Sequence, residues 1–174
     1  RNNSFRTSVG TAWRAPNMAE LFSFGQHGFK NSYGLLRYYF NDENKLKTNQ
    51  VIKMNESHVQ PEKGFKFINE LKINKKLHSH TLTGYSHYLL NFIYERPYGL
   101  TGTFRGPQPT FIFDQTDALF VGCDYDWKMD WSKQTEGTFG VSYLWSRNIT
   151  DKETLINQPP VTVSYKLNWR QKKF

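Results

Sequence analysis

The chain has 174 residues, is 17% aromatic (five Trp, ten Tyr, fourteen Phe) and carries a net charge of +8, yet its mean hydropathy is −0.71. A soluble globule rarely joins so many rings to so little aliphatic bulk; a transmembrane barrel does, because only alternate residues meet lipid and aromatic girdles sit at both interfaces. No run approaches the roughly 20 apolar residues of a membrane-spanning helix, the scattered Lys and Arg form no nucleic-acid-binding motif, and the lone Cys123 excludes a disulfide within the chain.

Apolar and polar residues alternate with period two in six segments, the pattern of strands with two different faces. The first carries Phe5, Val9 and Trp13. A long link follows, residues 15 to about 60. In it Asn17 stands as a cap before Met18-Ala19-Glu20-Leu21-Phe22, predicting a short helix, and Asn41-Asp42-Glu43-Asn44-Lys45 reads as polar loop. The second strand shows Phe65, Phe67, Leu71 and Ile73 and ends in a short turn over 75–80. The third, Thr81 to Tyr94, is mixed, with apolar residues on both faces. Gly99, Gly102, Gly106, Pro107 and Pro109 then mark 96–114 as a second long, irregular loop.

The fourth segment is the clearest. Leu119, Val121, Cys123, Tyr125, Trp127, Met129 and Trp131 alternate with Phe120, Gly122, Asp124, Asp126, Lys128 and Asp130. A helix would scatter three Asp and a Lys around its apolar side; a strand separates them. A short turn over 131–137 leads to Phe139, Val141, Tyr143 and Trp145. A medium link over 148–160 leads to Val161, Val163, Tyr165, Leu167 and Trp169. Trp13, Tyr94, Trp131, Trp145 and Trp169 fall at expected strand ends, as interfacial belts do. The fold class expected is therefore all-β, an antiparallel transmembrane β-barrel segment of about six strands. Its short turns are periplasmic and its longer loops extracellular. An apolar-inward soluble β-barrel that binds a small ligand is the alternative, and freedom from detergent would mark it.

Few residues suggest chemistry. Asp124, Asp126 and Asp130 share a strand face, and a hydrated wall neutralised by Lys128 and lysines on adjacent strands accounts for them better than an acid-base site. His78 and His80 lie two apart, but two imidazoles without a third ligand are a weak metal signal. Cys123, on the apolar face, reads as a small hydrophobe. No Ser-His-acid spacing or phosphate loop is present, so neither an enzyme nor a cofactor is expected.

Trp13-Arg14-Ala15-Pro16-Asn17 followed by Glu20-Leu21-Phe22 resembles a signature of TonB-dependent receptors, in which an aromatic-Arg-Ala-Pro-Asn segment ends a barrel strand. Gln60-Pro61-Glu62-Lys63 with Glu70-Leu71, Asn91-Phe92-Ile93-Tyr94, and Gln115-Thr116-Asp117-Ala118 with Gly122 and Asp124 resemble further blocks of that family, in family order. The resemblance implies the C-terminal half of a 22-strand outer-membrane receptor that takes up a metal complex (siderophore, haem or zinc type) or similar nutrient with energy passed by TonB. Residues 1–174 would be one partial barrel domain, with the plug that binds TonB and the remaining strands outside it. Outer-membrane lipid and a small-molecule or metal-complex ligand are the partners implied. A segment from about Tyr33 to Asn55 enlarges the first loop relative to the family. His27, in Phe24-Gly25-Gln26-His27-Gly28, resembles a His-containing stretch of a zinc- or haem-uptake-like branch, and His58 precedes the next strand on the same side. Imidazoles there would coordinate zinc or haem iron. Arg105, in Thr103-Phe104-Arg105-Gly106, also resembles a family loop segment and would meet an anionic ligand.

Overall fold

Strands form where the alternation predicts them, and two of them run much further. The computed structural model describes residues 3–39, 58–156 and 158–170. The strands are β1 (Ser4–Arg14), β2 (Phe24–His27), β3 (Lys30–Tyr33), β4 (Glu62–Asn74), β5 (His78–Thr103), β6 (Gly106–Asp130), β7 (Thr135–Asn148) and β8 (Thr162–Trp169). One α-helix, α1 (Met18–Phe22), and a 3₁₀ turn (Leu35–Tyr39) complete the elements among the described residues. β1, β4, β5, β6, β7 and β8 lie side by side in that order. They are the six predicted strands. The predicted polar loop Asn41–Lys45 and most of the Tyr33–Asn55 enlargement lie outside the described residues.

The sheet departs from expectation in two places. The first link holds a hairpin, β2 against β3, and β3 pairs in parallel with β6 over Asn31–Tyr33 and Thr110–Ile112. The region 96–114 is not an irregular loop. β5 and β6 continue through it to a turn at Phe104-Arg105, so Tyr94 lies inside β5 and not at a strand end. Pro107 and Pro109 are accommodated because they precede Thr110, where β3 joins β6, and unpaired strand edges tolerate proline. Gly106 follows the turn with φ 98°, a backbone region costly for residues with a Cβ.

Contacts divide the chain into two compact units. The first comprises Arg1–Thr11, Gly64–Tyr88 and Ala118–Phe174, the second Ala12–Lys63 and Leu89–Asp117.

In the first unit, register carries the alternation from strand to strand. Tyr125 pairs with Val141 and Val141 with Val163; Trp127 pairs with Phe139 and Phe139 with Tyr165. Val121 meets Trp145, Cys123 meets Tyr143, and Met129 shares a row with Gly137 and Leu167. These rows make a continuous apolar band across three strands, and cross-strand neighbours on one face stabilise a sheet pair by pair. The opposite face carries Asp124, Ser142 and Thr162 in one row and Lys128, Thr138 and Lys166 in another. Val163, Tyr165, Leu167 and Trp169 are all more than half exposed, so the band is not the inside of a sandwich. Lys128 Nζ lies 2.9 Å from Glu136, so the lysine expected to neutralise Asp124, Asp126 and Asp130 is paired with a glutamate of β7 instead.

The second unit has a small core of its own. Leu21, Leu35, Leu36, Val59 and Ile93 are buried together, with Phe113 against them. Gly34 is the tightest point beneath it. Its N–H donates to the Ser23 carbonyl at 2.7 Å, and a Cβ at this position would run into the Leu21 carbonyl. Backbone cannot swing aside as a side-chain tip can. Gly34→Ala should therefore cost about 1–3 kcal/mol, the usual range for overpacking, seen as a lower urea midpoint with the first unit's strand signal retained.

Candidate functional site

The polar architecture of the second unit starts at the end of β1. Asn17 caps α1: its side chain accepts from the Glu20 N–H at 2.9 Å, and Glu20 Oε2 accepts from the Asn17 N–H at 2.7 Å. This reciprocal capping box satisfies two N–H groups that a helix start leaves open. Glu20 is thereby aimed at Arg14, whose Nη1 reaches both of its oxygens at 2.8 Å. Arg14 Nε donates to Glu62 at 2.5 Å, and Glu62 in turn accepts the Ile93 N–H at 2.6 Å. Both carboxylates are buried. Alongside, Gln115 donates to the Gln60 and Asn91 carbonyls at 2.7 and 3.0 Å and accepts from the Gln60 N–H at 3.0 Å. Asn91 has a left-handed backbone, φ 56°, and its N–H is taken up by Asp117 at 3.1 Å.

A cleft of about 590 Å³ opens in the same unit. Phe24 and Tyr33 form one wall, edge to face at 5.3 Å between centroids, with Tyr98 and Ile112 as further apolar surface. Arg37 and Arg96 bring two guanidinium groups to it. The two share one carboxylate, Asp114, at 4.0 Å from Arg37 and 3.1 Å from Arg96. Arg37 is further anchored to the carbonyls of Phe113 and Gly34 at 2.6 and 3.3 Å. Thr101 and Thr110, hydrogen-bonded to each other at 2.6 Å, supply hydroxyls. Nearby charges are already committed: Lys30 is paired with Glu95, which also accepts from Ser32 at 2.9 Å. Arg96 brings to the cleft a guanidinium fork, which matches carboxylate or phosphate geometry, beside the rings of Phe24, Tyr33 and Tyr98. The cleft thus offers a donor for an anionic group next to apolar surface.

The residues singled out from the sequence lie elsewhere. His27 ends β2 and is exposed; His58 is exposed in a bend before Val59. Arg105 occupies the β5–β6 turn, its guanidinium over the Phe104 ring at 5.2 Å and its N–H on Thr103 Oγ1 at 3.2 Å. None of the three lines the cleft, and no group of three or more His, Cys, Asp or Glu side chains placed to hold a metal ion occurs among the described residues. His78 and His80 do face the same way, at 5.1 Å between ring centroids, and His80 Nδ1 is engaged by the Tyr125 hydroxyl at 2.7 Å. Sequence reasoning missed Arg37, Arg96 and Asp114. The available signal was a pair of opposite charges, Arg96 and Asp114, eight residues before and nine residues after the Phe104-Arg105 turn of a hairpin.

No family model matches the chain, and no curated protein matches it. Among solved structures it is similar to one described as "Copper transporter OprC", with a TM-score of 0.66 and 18% identity over 98% of this chain and 22% of that one. The chain thus spans about a fifth of that transporter's length. At this identity the likeness shows the fold: this chain is an all-β, antiparallel segment of a larger barrel.

Proposed function

We propose that residues 1–174 are one partial barrel domain of an outer-membrane receptor that takes up a metal complex of siderophore, haem or zinc type, driven by TonB through a plug domain outside these residues. The observation that carries this reading is the exposed apolar band of the first unit, backed by a polar face. That pairing suits lipid on one side and a wet lumen on the other. The likeness to a transporter supports it, as do the sequence blocks around Arg14-Ala15-Pro16-Asn17. In this reading the cleft of Arg37 and Arg96 receives the anionic part of the complex. His27 and His58 are the candidate contacts for a bare metal ion or haem iron, and Arg105 is a further contact for anionic groups.

Equilibrium binding by the full chain in detergent micelles tests this, with ferric citrate, haem, zinc and copper ions as probes. Ferric citrate should bind, and Arg96→Ala should weaken it about tenfold, the loss expected for one charge-assisted hydrogen bond. Zinc or haem binding should fall in a His27→Ala, His58→Ala double variant and be unmoved by Arg96→Ala. Absence of binding by all four probes sinks the ligand reading; a chain monodisperse in water without detergent sinks the membrane reading.

A further inference from the structure

Arg96 reaches the cleft of the second unit with its charge already engaged. It stands on β5, and its Nη2 donates to Asp114 Oδ2 on the neighbouring β6 at 3.1 Å. Both side chains are partly exposed, at 43% and 35%. The other Asp114 oxygen accepts the Gln115 N–H at 3.1 Å, which fixes the carboxylate against the backbone of β6. Among the described residues Asp114 is the one hydrogen-bonded partner of the Arg96 side chain. Arg37 is held differently. Its side chain is 15% exposed and is tied to the carbonyls of Phe113 and Gly34, so it meets a ligand only by leaving them. Arg96 is the guanidinium that can change partner.

An anion entering the cleft therefore meets an occupied donor. Replacing Asp114 on Arg96 exchanges one carboxylate for another and leaves the number of charge-assisted bonds unchanged. The released Asp114 keeps only the 4.0 Å approach of Arg37 and stands beside a second negative charge, and like charges repel. A small anion gains nothing from this exchange. Net binding has to come from the body that carries the anion. The cleft supplies the surface for it in the rings of Phe24, Tyr33 and Tyr98 and the side chain of Ile112, where each apolar area covered is a gain. Specificity is a difference of affinities, and a penalty against the wrong ligand creates it as well as a contact to the right one.

We infer that Asp114 is the specificity-determining residue of this cleft, a built-in competitor for Arg96. It excludes small free anions and admits an anionic group only when the body carrying that group covers the ring walls. The inference deepens the ligand reading above and rests on it.

Competition against ferric citrate on the full chain in detergent micelles tests it, with acetate and benzoate as competitors. Benzoate should displace ferric citrate at a concentration about tenfold or more below that of acetate, the worth of covering part of one ring wall. Asp114→Asn keeps an acceptor for the Gln115 N–H and should raise the affinity for ferric citrate and both competitors about three- to fivefold, the size of a partly exposed ion pair. Asp114→Ser, a second neutral variant, should repeat the gain, and Asp114→Glu should restore the penalty. In an Arg96→Ala background the gain from Asp114→Asn should shrink to less than about half, because the two groups act as one network. An equal gain without Arg96 overturns the competition. Unchanged or weaker binding by both neutral variants, with Arg96→Ala still weakening ferric citrate, overturns the role of Asp114 alone. Equal displacement by acetate and benzoate overturns the selection by the walls. Indifference of ferric citrate to Arg96→Ala removes the cleft reading and this inference with it.

Discussion

Val163→Arg is expected to destabilise the bilayer-folded chain by about 2–4 kcal/mol, the cost of a cationic side chain near the midplane on the lipid face of a barrel. Val163 is chosen because it is 63% exposed and sits in the Tyr125–Val141–Val163 row, with apolar rows on both sides of it. If the band faced water, this would be an ordinary surface substitution worth about 0.5 kcal/mol or less. The control is Thr162→Arg, one residue earlier and on the polar face, where the row holds Asp124 and Ser142. It should move stability by no more than about 0.5 kcal/mol. Urea titration in phospholipid vesicles, read by the mobility difference between folded and boiled samples on a gel, measures both. Equal effects of the two substitutions would remove the lipid-facing assignment.

The same alternation explains how much of the fold was legible. A period of two needs no knowledge of partners, so the bands on β6, β7 and β8 could be read before their register was known, and the register then aligned them row on row. The reading failed where the physics is local and conditional. Asn91 and Gly99 adopt left-handed backbone within β5, and such residues interrupt the alternation of faces as bulges do. Thr81–Tyr94 therefore looked mixed, and its continuation was invisible. Pro107 and Pro109 looked like loop because proline is excluded from strands only where its missing N–H is needed, which depends on a neighbour the sequence does not show. The cleft was hidden for a related reason. Arg37 reaches Asp114 only because the β2–β3 hairpin joins β6, a parallel pairing between segments about 80 residues apart that no spacing rule anticipates.

Seven of the residues in the blocks that made the family resemblance prove to be joinery. Arg14, Asn17, Glu20, Glu62, Asn91, Gln115 and Asp117 are the participants in the polar network of the second unit. Arg14 is its hinge pin. Its side chain is 44% exposed, while those of Glu20 and Glu62 are 12% and 9% exposed. Removing the guanidinium strands two nearly buried carboxylates. Breaking a fully buried pair costs about 3–5 kcal/mol, and solvent access to Arg14 lowers that, so Arg14→Met should cost about 2 kcal/mol. Glu62→Gln keeps an acceptor for the Ile93 N–H and should cost less than Glu62→Ala, which leaves that buried donor unpaired at a penalty of about 1–3 kcal/mol. In a double-mutant cycle, Arg14→Met with Glu62→Gln should be non-additive by at least about 0.5 kcal/mol, as for groups in one network. Urea midpoints supply the stabilities and ferric citrate binding supplies the contrast. If Arg14 is structural, Arg14→Met lowers the midpoint of the second unit and leaves the affinity of the folded fraction unchanged. A loss of affinity at an unchanged midpoint would instead make Arg14 a ligand contact and move the binding site from the Arg37–Arg96 cleft to the end of β1.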